Sequence, residues 1–483
     1  MTTPSSHDSN GQHANGQHAG GQHAGSGPLG AAPRIGALLD RNIVHAAGRS
    51  VRHLVITIDA PLDQTATNRP RLPLNLGLVI DASGSMDGRP LEAAKAAALG
   101  VVEALQESDH LSLVSFATSA QSHACNVRMD ALGKAAVREA IRPLVSRDST
   151  DLAAGWLLGC EGIAERLAAA QGVERNQCIL LSDGHANRGE CDPAVLAQHA
   201  HQLRVRGVLT STVGIGIGYS PTQLQAIAEA AGGRMHDAEQ PEEIVEIVLA
   251  ELAETLSTTV ENLELCLQLP EGVVAEVYGT TPATATGRQL DLIVGALRSG
   301  ASRRVVVKLT FPAGTSGDRL PIGVTPRWKT PGAEGLHTSP ALAVEALFGS
   351  AADCQAQPRP SDTAQRVAEQ WQAHIQHRGL ALNQDGAGEA ATEFVRQELE
   401  HFRSYCHGLP EGDRLTNLLE RFLHTIHRRY DPVAAKEMLF SSYKLSRSEA
   451  DLRRKKRSST EEFLRTEEAK ANQGQPPQEP RRP

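Results

Sequence analysis

Asp81, Ser83 and Ser85 stand at i, i+2 and i+4, directly after the short apolar run Leu76–Ile80. A loop leaving the carboxyl end of a buried parallel strand can turn three such residues to one point. That point is the crevice in which open α/β sheets bind ligands. One carboxylate with two hydroxyls is a hard, all-oxygen donor set. It suits Mg²⁺, with Mn²⁺ or Ca²⁺ as alternatives, and is wrong for zinc, which prefers sulfur and nitrogen. Two further candidates end other elements. Thr150, in Ser149-Thr150-Asp151, opens the helical stretch Leu152–Ala170, and Asp183 closes the apolar run Cys178–Leu181. One or two carboxylates among neutral hydroxyls leave a divalent ion underneutralised, hence electrophilic and able to take an oxygen from a partner. The plainer explanation of the same residues is helix capping by Ser and Asp.

The elements that must position these groups follow from the apolar pattern. From Leu74 to about Thr255, the buried-type runs Leu76–Ile80, Leu111–Phe116, Cys178–Leu181 and Val208–Val213 alternate with amphipathic stretches. The helical stretches are Leu91–Gln106, Asp130–Arg142, Leu152–Ala170, Pro193–Arg206 and Pro221–Ala231. Strand and helix in repetition predict a doubly wound α/β domain with a parallel sheet. Before it lies the β-branched run His53–Asp59. After it come Val260–Leu269, Val273–Tyr278, Gln289–Val294, Arg303–Thr310 and Gly323–Trp328. Neither β piece makes a convincing core alone, so 34–70 and 257–330 are expected to form one β-sandwich into which 72–255 is inserted. From 361 to 446 the stripes Val367, Trp371, Ile375 and Leu415, Leu418, Leu419, Phe422, Ile426 predict a helical bundle. Residues 1–30 repeat Gln-His-Ala among glycines and read as a disordered tail. Residues 447–483 read as a charged helix followed by a Gln- and Pro-rich tail.

With these residues in place, the chain resembles the von Willebrand factor A domain with its metal-ion-dependent adhesion site. The D-x-S-x-S pattern is met by Asp81, Ser83 and Ser85, the distal Thr by Thr150 in STDLAAG, and the distal Asp by Asp183 in LLSDGHAN. Lesser matches are Gly88–Leu91, Asp109–Phe116 and Ser211–Gly216. The resemblance covers roughly 72–255. It implies that the two Ser and the Thr ligate directly, that at least one Asp acts through water, and that a partner's Asp or Glu carboxylate completes the shell. The flanks look like bacterial stand-alone members, and more distantly like calcium-activated chloride channel regulators and inter-alpha-trypsin inhibitor heavy chains. The resemblance also implies a second role, as adaptor subunit of a separate ATPase or chelatase-type assembly.

Composition narrows the function classes. The 483 residues are 3% aromatic and carry a net charge of −8, which opposes base stacking and general polyanion binding. Residues 72–255 hold 13 Lys and Arg against 24 Asp and Glu, an acidic surface that repels an acidic partner at long range. A metal would supply the local attraction that overcomes it. Seven scattered cysteines without a C-x-x-C pair, no apolar run long enough to span a bilayer and no secretory leader predict a cytoplasmic protein with reduced thiols.

Enzyme chemistry finds little support. Asp-x-Ser after a strand is faintly like the haloacid-dehalogenase phosphotransferases, but Ser83 stands where their general acid/base Asp belongs. No G-x-S-x-G or phosphate-loop motif is present. Gly214-Ile-Gly216-Ile-Gly218 lacks dinucleotide-loop spacing, and His185, Cys191, His199 and His201 lack ligand spacing. The basic run 453–457 is flanked by acids and reads as an exposed charged helix. A non-enzymatic, cation-dependent protein-binding module is the expectation, with a Mg²⁺-dependent phosphotransferase as the remote alternative.

Overall fold

The computed structural model describes residues 32–447, apart from 64–70, 170–173, 184–185, 217–218, 220, 334, 385, 429 and 431. The Gln-His-Ala repeat, the 447–483 helix-and-tail expectation beyond Arg447, the basic run 453–457 and His185 lie outside the described residues.

Strands β1 (Arg34–Leu39), β2 (Ile43–His45) and β3 (Ser50–Asp59) precede the α/β unit. That unit runs through β4 (Leu74–Asp81), α1 (Arg89–Ala104), β5 (His110–Phe116), β6 (Ala120–Arg128), α2 (Ala131–Ile141) and α3 (Leu152–Ala169). It continues with β7 (Arg175–Ser182), α4 (Pro193–Val205), β8 (Leu209–Ile215), α5 (Pro221–Ala230), β9 (Met235–Ala238) and α6 (Glu243–Leu256). Its sheet has the order β6-β5-β4-β7-β8-β9, parallel except for β6, which returns antiparallel along β5.

β4 is buried at every position because both of its faces are covered by helices. Leu76, Leu78 and Ile80 pack with Val101 of α1, Val137 of α2 and Val248 of α6. The opposite face, with Val79 and Val114, packs with Trp156 of α3, Leu196 of α4 and Ile227 of α5. Helix α3 approaches closely because glycine faces the sheet: a Cβ on Gly155 would lie 2.5 Å from Phe116 Cβ, and one on Gly159 would lie 2.3 Å from Val79 Cγ2. Gly155→Ala therefore sets a helix-propensity gain of about 1 kcal/mol against overpacking of about 1–3 kcal/mol. Because Phe116 Cβ cannot retreat without moving its strand, overpacking is expected to win. Thermal denaturation should show a melting temperature lowered by several degrees.

The later strands are β10 (Thr258–Gln268), β11 (Val274–Val277), β12 (Ala283–Thr286), β13 (Gln289–Arg298), β14 (Ser302–Phe311), β15 (Arg319–Lys329), β16 (His337–Thr338) and β17 (Leu342–Gly349). β3 pairs antiparallel with β1 on one side and with β14 on the other, so a strand before the α/β unit is hydrogen-bonded to one after it. The sheet β1-β3-β14-β11 and the sheet β12-β13-β10-β15-β17-β2 share one apolar core. In it Leu54, Ile56, Val305 and Val307 meet Leu265, Leu267, Leu292 and Val324. The β material does not stop at residue 330 as the sequence pattern suggests. β17 follows and pairs parallel with β2. It was inconspicuous because its first four residues alternate between half-buried and exposed, and only its end is covered.

Helices α7 (Ala351–Ala356), α8 (Ser361–Gln384), α9 (Gly388–Cys406), α10 (Gly412–Ile426) and α11 (Pro432–Ser446) complete the described chain. The stripes read from sequence meet in one cluster, with Trp371, Val395, Phe402, Leu419 and Phe422 packed together and against Val55 and Val306 of the four-stranded sheet. Among the described residues no helix is long and apolar enough to cross a membrane.

Three parts of the chain converge on Glu229 of α5. Gln225 Nε2 donates to it at 3.1 Å, while Thr280 from the loop after β11, Arg303 from β14 and Arg447 just past α11 face it. Burial pushes its pKa from the ordinary 4.5 up to about 7. The folded state therefore keeps this proton to a higher pH than the unfolded chain does, and the stability it contributes falls as pH rises from about 4.5 to 7. Glu229→Gln should melt above the wild type at pH 8 and close to it at pH 5, as followed by circular dichroism.

Candidate metal centre

The central strand β4 ends at Asp81, whose side chain is fully buried. Asp81 Oδ1 accepts from the backbone N–H of Ser83 at 2.8 Å, and Oδ2 accepts from Ser182 Oγ, at the end of β7, at 2.6 Å. The loop then makes a single 3₁₀ turn over Gly84–Met86. This turn sets Ser83 Oγ 3.2 Å from Ser85 Oγ, and Ser85 Oγ donates to Asp183 Oδ1 at 2.9 Å. Asp81, Ser83, Ser85 and Asp183 thus form one connected group on the carboxyl lip of the sheet.

Thr150 arrives on the loop between α2 and α3. That loop is held to the same lip by Arg147 N donating to Ala82 O at 2.7 Å and Asp151 N donating to Ala117 O at 2.8 Å. Ser149 takes a left-handed φ of 49° to bring it round. Thr150 N donates to Asn187 Oδ1 at 3.0 Å, and its carbonyl accepts from the N–H groups of Asn187 and Arg188. The residue is 4% exposed, and its hydroxyl makes no hydrogen bond to the other four side chains among the described residues. The backbone brings it to the lip, and its hydroxyl remains available there.

Two residues outside the sequence motif support the group. Ser182 orients Asp81, and Asn187 clamps the Thr150 loop. A signal for Ser182 was its polar side chain at the end of an apolar strand, one position before Asp183. Nothing local marks Asn187. Asp151, beside Thr150, accepts from Ala154 N at 3.0 Å and serves the start of α3.

The electrostatics of the two carboxyls are set first by burial. Burial raises the pKa of Asp81, against the hydrogen bonds from Ser182 and Ser83. Burial and then the charge of Asp81 push Asp183 up to about 6. No Lys, Arg or His side chain forms an ion pair with either among the described residues. A buried carboxylate beside a half-buried one is costly unless a positive charge neutralises them. The donors are carboxylate and hydroxyl oxygens, which fit a hard divalent ion. Among the described residues, no three His, Cys, Asp or Glu side chains converge as a metal-binding group. Cys191 Sγ is turned to the carbonyls of Arg188 and Gly189.

A six-stranded, mostly parallel sheet covered by helices on both faces, with D-x-S-x-S at the end of its central strand, defines a doubly wound α/β domain with an oxygen-donor group on its carboxyl lip. Residues 75–249 match the family described as von Willebrand factor type A domain. An uncharacterized protein of Synechocystis is 33% identical over 254 residues, covering 51% of this chain and 57% of the relative. Inter-alpha-trypsin inhibitor heavy chain H3 of Rattus norvegicus is 26% identical over 239 residues, covering 46% of this chain and 26% of that protein. The chain therefore spans little more than half of the first relative and about a quarter of the second. A solved structure described as von Willebrand factor type A from Catenulispora acidiphila has the same fold, with a TM-score of 0.60 over 80% of this chain and 89% of that one at 18% identity.

Proposed function

We propose that residues 72–255 are a cation-dependent protein-binding module inserted into a β-sandwich formed by the strands on either side. Asp81, Ser83, Ser85, Thr150 and Asp183 hold Mg²⁺, or in its place Mn²⁺ or Ca²⁺, and an Asp or Glu carboxylate of a partner protein completes the shell. When bound, the ion supplies a directional attraction for that carboxylate. The protein's own residues orient the ligands: Ser182 fixes Asp81, Ser85 bridges to Asp183, and Asn187 holds the Thr150 loop. The observation that carries this reading is the pair Asp81 and Asp183, joined through Ser83 and Ser85, with no side-chain cation paired to them among the described residues.

The role is non-enzymatic. Both oxygens of Asp81 are engaged, by Ser83 N and Ser182 Oγ, and its i+2 neighbour is a serine unable to act as general acid. Domains of this family generally serve as adhesion or interaction modules.

The test is affinity capture from native lysate with Mg²⁺, repeated in EDTA and with Asp81→Ala. A set of proteins retained only by the wild type in Mg²⁺ is the expected result. Capture undiminished under both other conditions contradicts the proposal.

A further inference from the structure

Helix α11, far along the chain, lies along the edge strand β9 of the sheet that carries Asp81, with its Lys436 near the carboxyl lip. Its Lys436 is 2% exposed and pairs at 2.9 Å with Asp237 of β9, which is equally buried. Lys436 Nζ also donates to the carbonyl of Gly216 just beyond β8, and it lies 4.5 Å from the centroid of the Tyr219 ring. Tyr219 in turn donates to Asp237 Oδ1 at 2.8 Å. Further along α11, Tyr443 Oη accepts from Met235 N at the start of β9, and Phe440 and Tyr443 join the apolar cluster beneath α4 and α5. Its other side packs on α8 of the helical region.

Two short routes connect this seat to the site. Asp237, Gly214 and Ser182 are successive partners across β9, β8 and β7, and Ser182 donates to Asp81. The Tyr219 ring under Lys436 packs where a Cβ on Gly214 would stand. The row spans three strand spacings, about 14 Å. The second route runs through α5. Gln223 accepts from Ala186 N at 3.1 Å and donates to Cys191 O at 2.9 Å, bracing the loop that follows Asp183.

We propose that α11 is a built-in strap whose seating through Lys436 is coupled to occupancy of the metal site, so that cation binding is reported to the helical region. The inference rests on the metal reading above. A cation that draws Asp183 toward Asp81 tightens the loop braced by Gln223, and with it the α5 surface on which α11 sits. A buried ion pair suits this role because it holds one register and loses it sharply when a partner moves. By linkage, whatever the metal does to the strap the strap does to the metal.

Hydrogen–deuterium exchange on the full chain tests it. In the wild type, saturating Mn²⁺ should slow exchange in α11 at least threefold, with α2 as an unmoved reference. In metal-free protein, Lys436→Met should speed exchange at residues 186–191 at least threefold and weaken Mn²⁺ binding by several-fold, whereas Lys436→Arg should keep most of the coupling. Mn²⁺ bound with α11 unchanged overturns the coupling, as does a Lys436→Met protein whose 186–191 exchange and Mn²⁺ affinity match the wild type. Mn²⁺ failing to bind the wild type overturns the metal reading itself, a separate and distinguishable failure.

Discussion

Asp81→Asn is expected to melt at a higher temperature than the wild type in EDTA and to gain nothing from Mg²⁺. The first half follows from the cost of Asp81 itself. Its carboxylate is fully buried, its pKa is raised by desolvation, and a second carboxyl that it also raises stands beside it. Removing that charge relieves both groups, while the isosteric amide keeps an oxygen for Ser83 N or Ser182 Oγ. The second half follows from mass action. A ligand at one hundred times its Kd stabilises the folded state by about 2.7 kcal/mol, and a chain without the site forgoes all of it. Differential scanning fluorimetry of both proteins, with EDTA and with Mg²⁺, reads the crossover directly. A capping or packing role for Asp81 gives the opposite pattern, a variant less stable under both conditions.

Trp371→Ala is expected to cost about 3–5 kcal/mol and to loosen the helical region from the β-sheets. Trp371 stacks on Tyr278 at 5.6 Å between centroids and meets Phe402 and Tyr405 edge-on. Its indole N–H donates to Glu398 Oε2 at 2.6 Å. Around it, His53 shares Asp40 with Tyr405, so truncation leaves a cavity bordered on one side by a buried polar network that resists collapse. Urea unfolding should show a lower midpoint, and protease should cut within α8–α10 earlier than in the wild type. An unchanged midpoint would show that these helices do not depend on this cluster.

The α/β unit was legible because its central strands are buried on both faces and therefore read as unbroken apolar runs between amphipathic helices. Leu76–Ile80 and Cys178–Leu181 each landed inside an observed strand, β4 and β7. Apart from β17, the strands that escaped include edge and short elements. β6 carries polar residues on a half-exposed edge, β9 has four residues, and β12 is exposed throughout. Helix α6 carries a plain stripe of Ile244, Val248 and Leu252 that the alternation pattern passes over. At the site, the residues joined by local geometry were readable from spacing alone, as with Asp81, Ser83 and Ser85. Asn187 and Lys436 were not. Each works across a long sequence separation, and such pairings are set by tertiary packing rather than by any local pattern.

Titrating metal-free wild type and Asp81→Asn with Mn²⁺, and following the free ion by electron paramagnetic resonance, tests the central claim most directly. The expected result is one ion bound per wild-type chain, displaced by excess Mg²⁺, with no loss of free-ion signal in the variant. A wild-type titration indistinguishable from that of Asp81→Asn up to millimolar Mn²⁺ would contradict it.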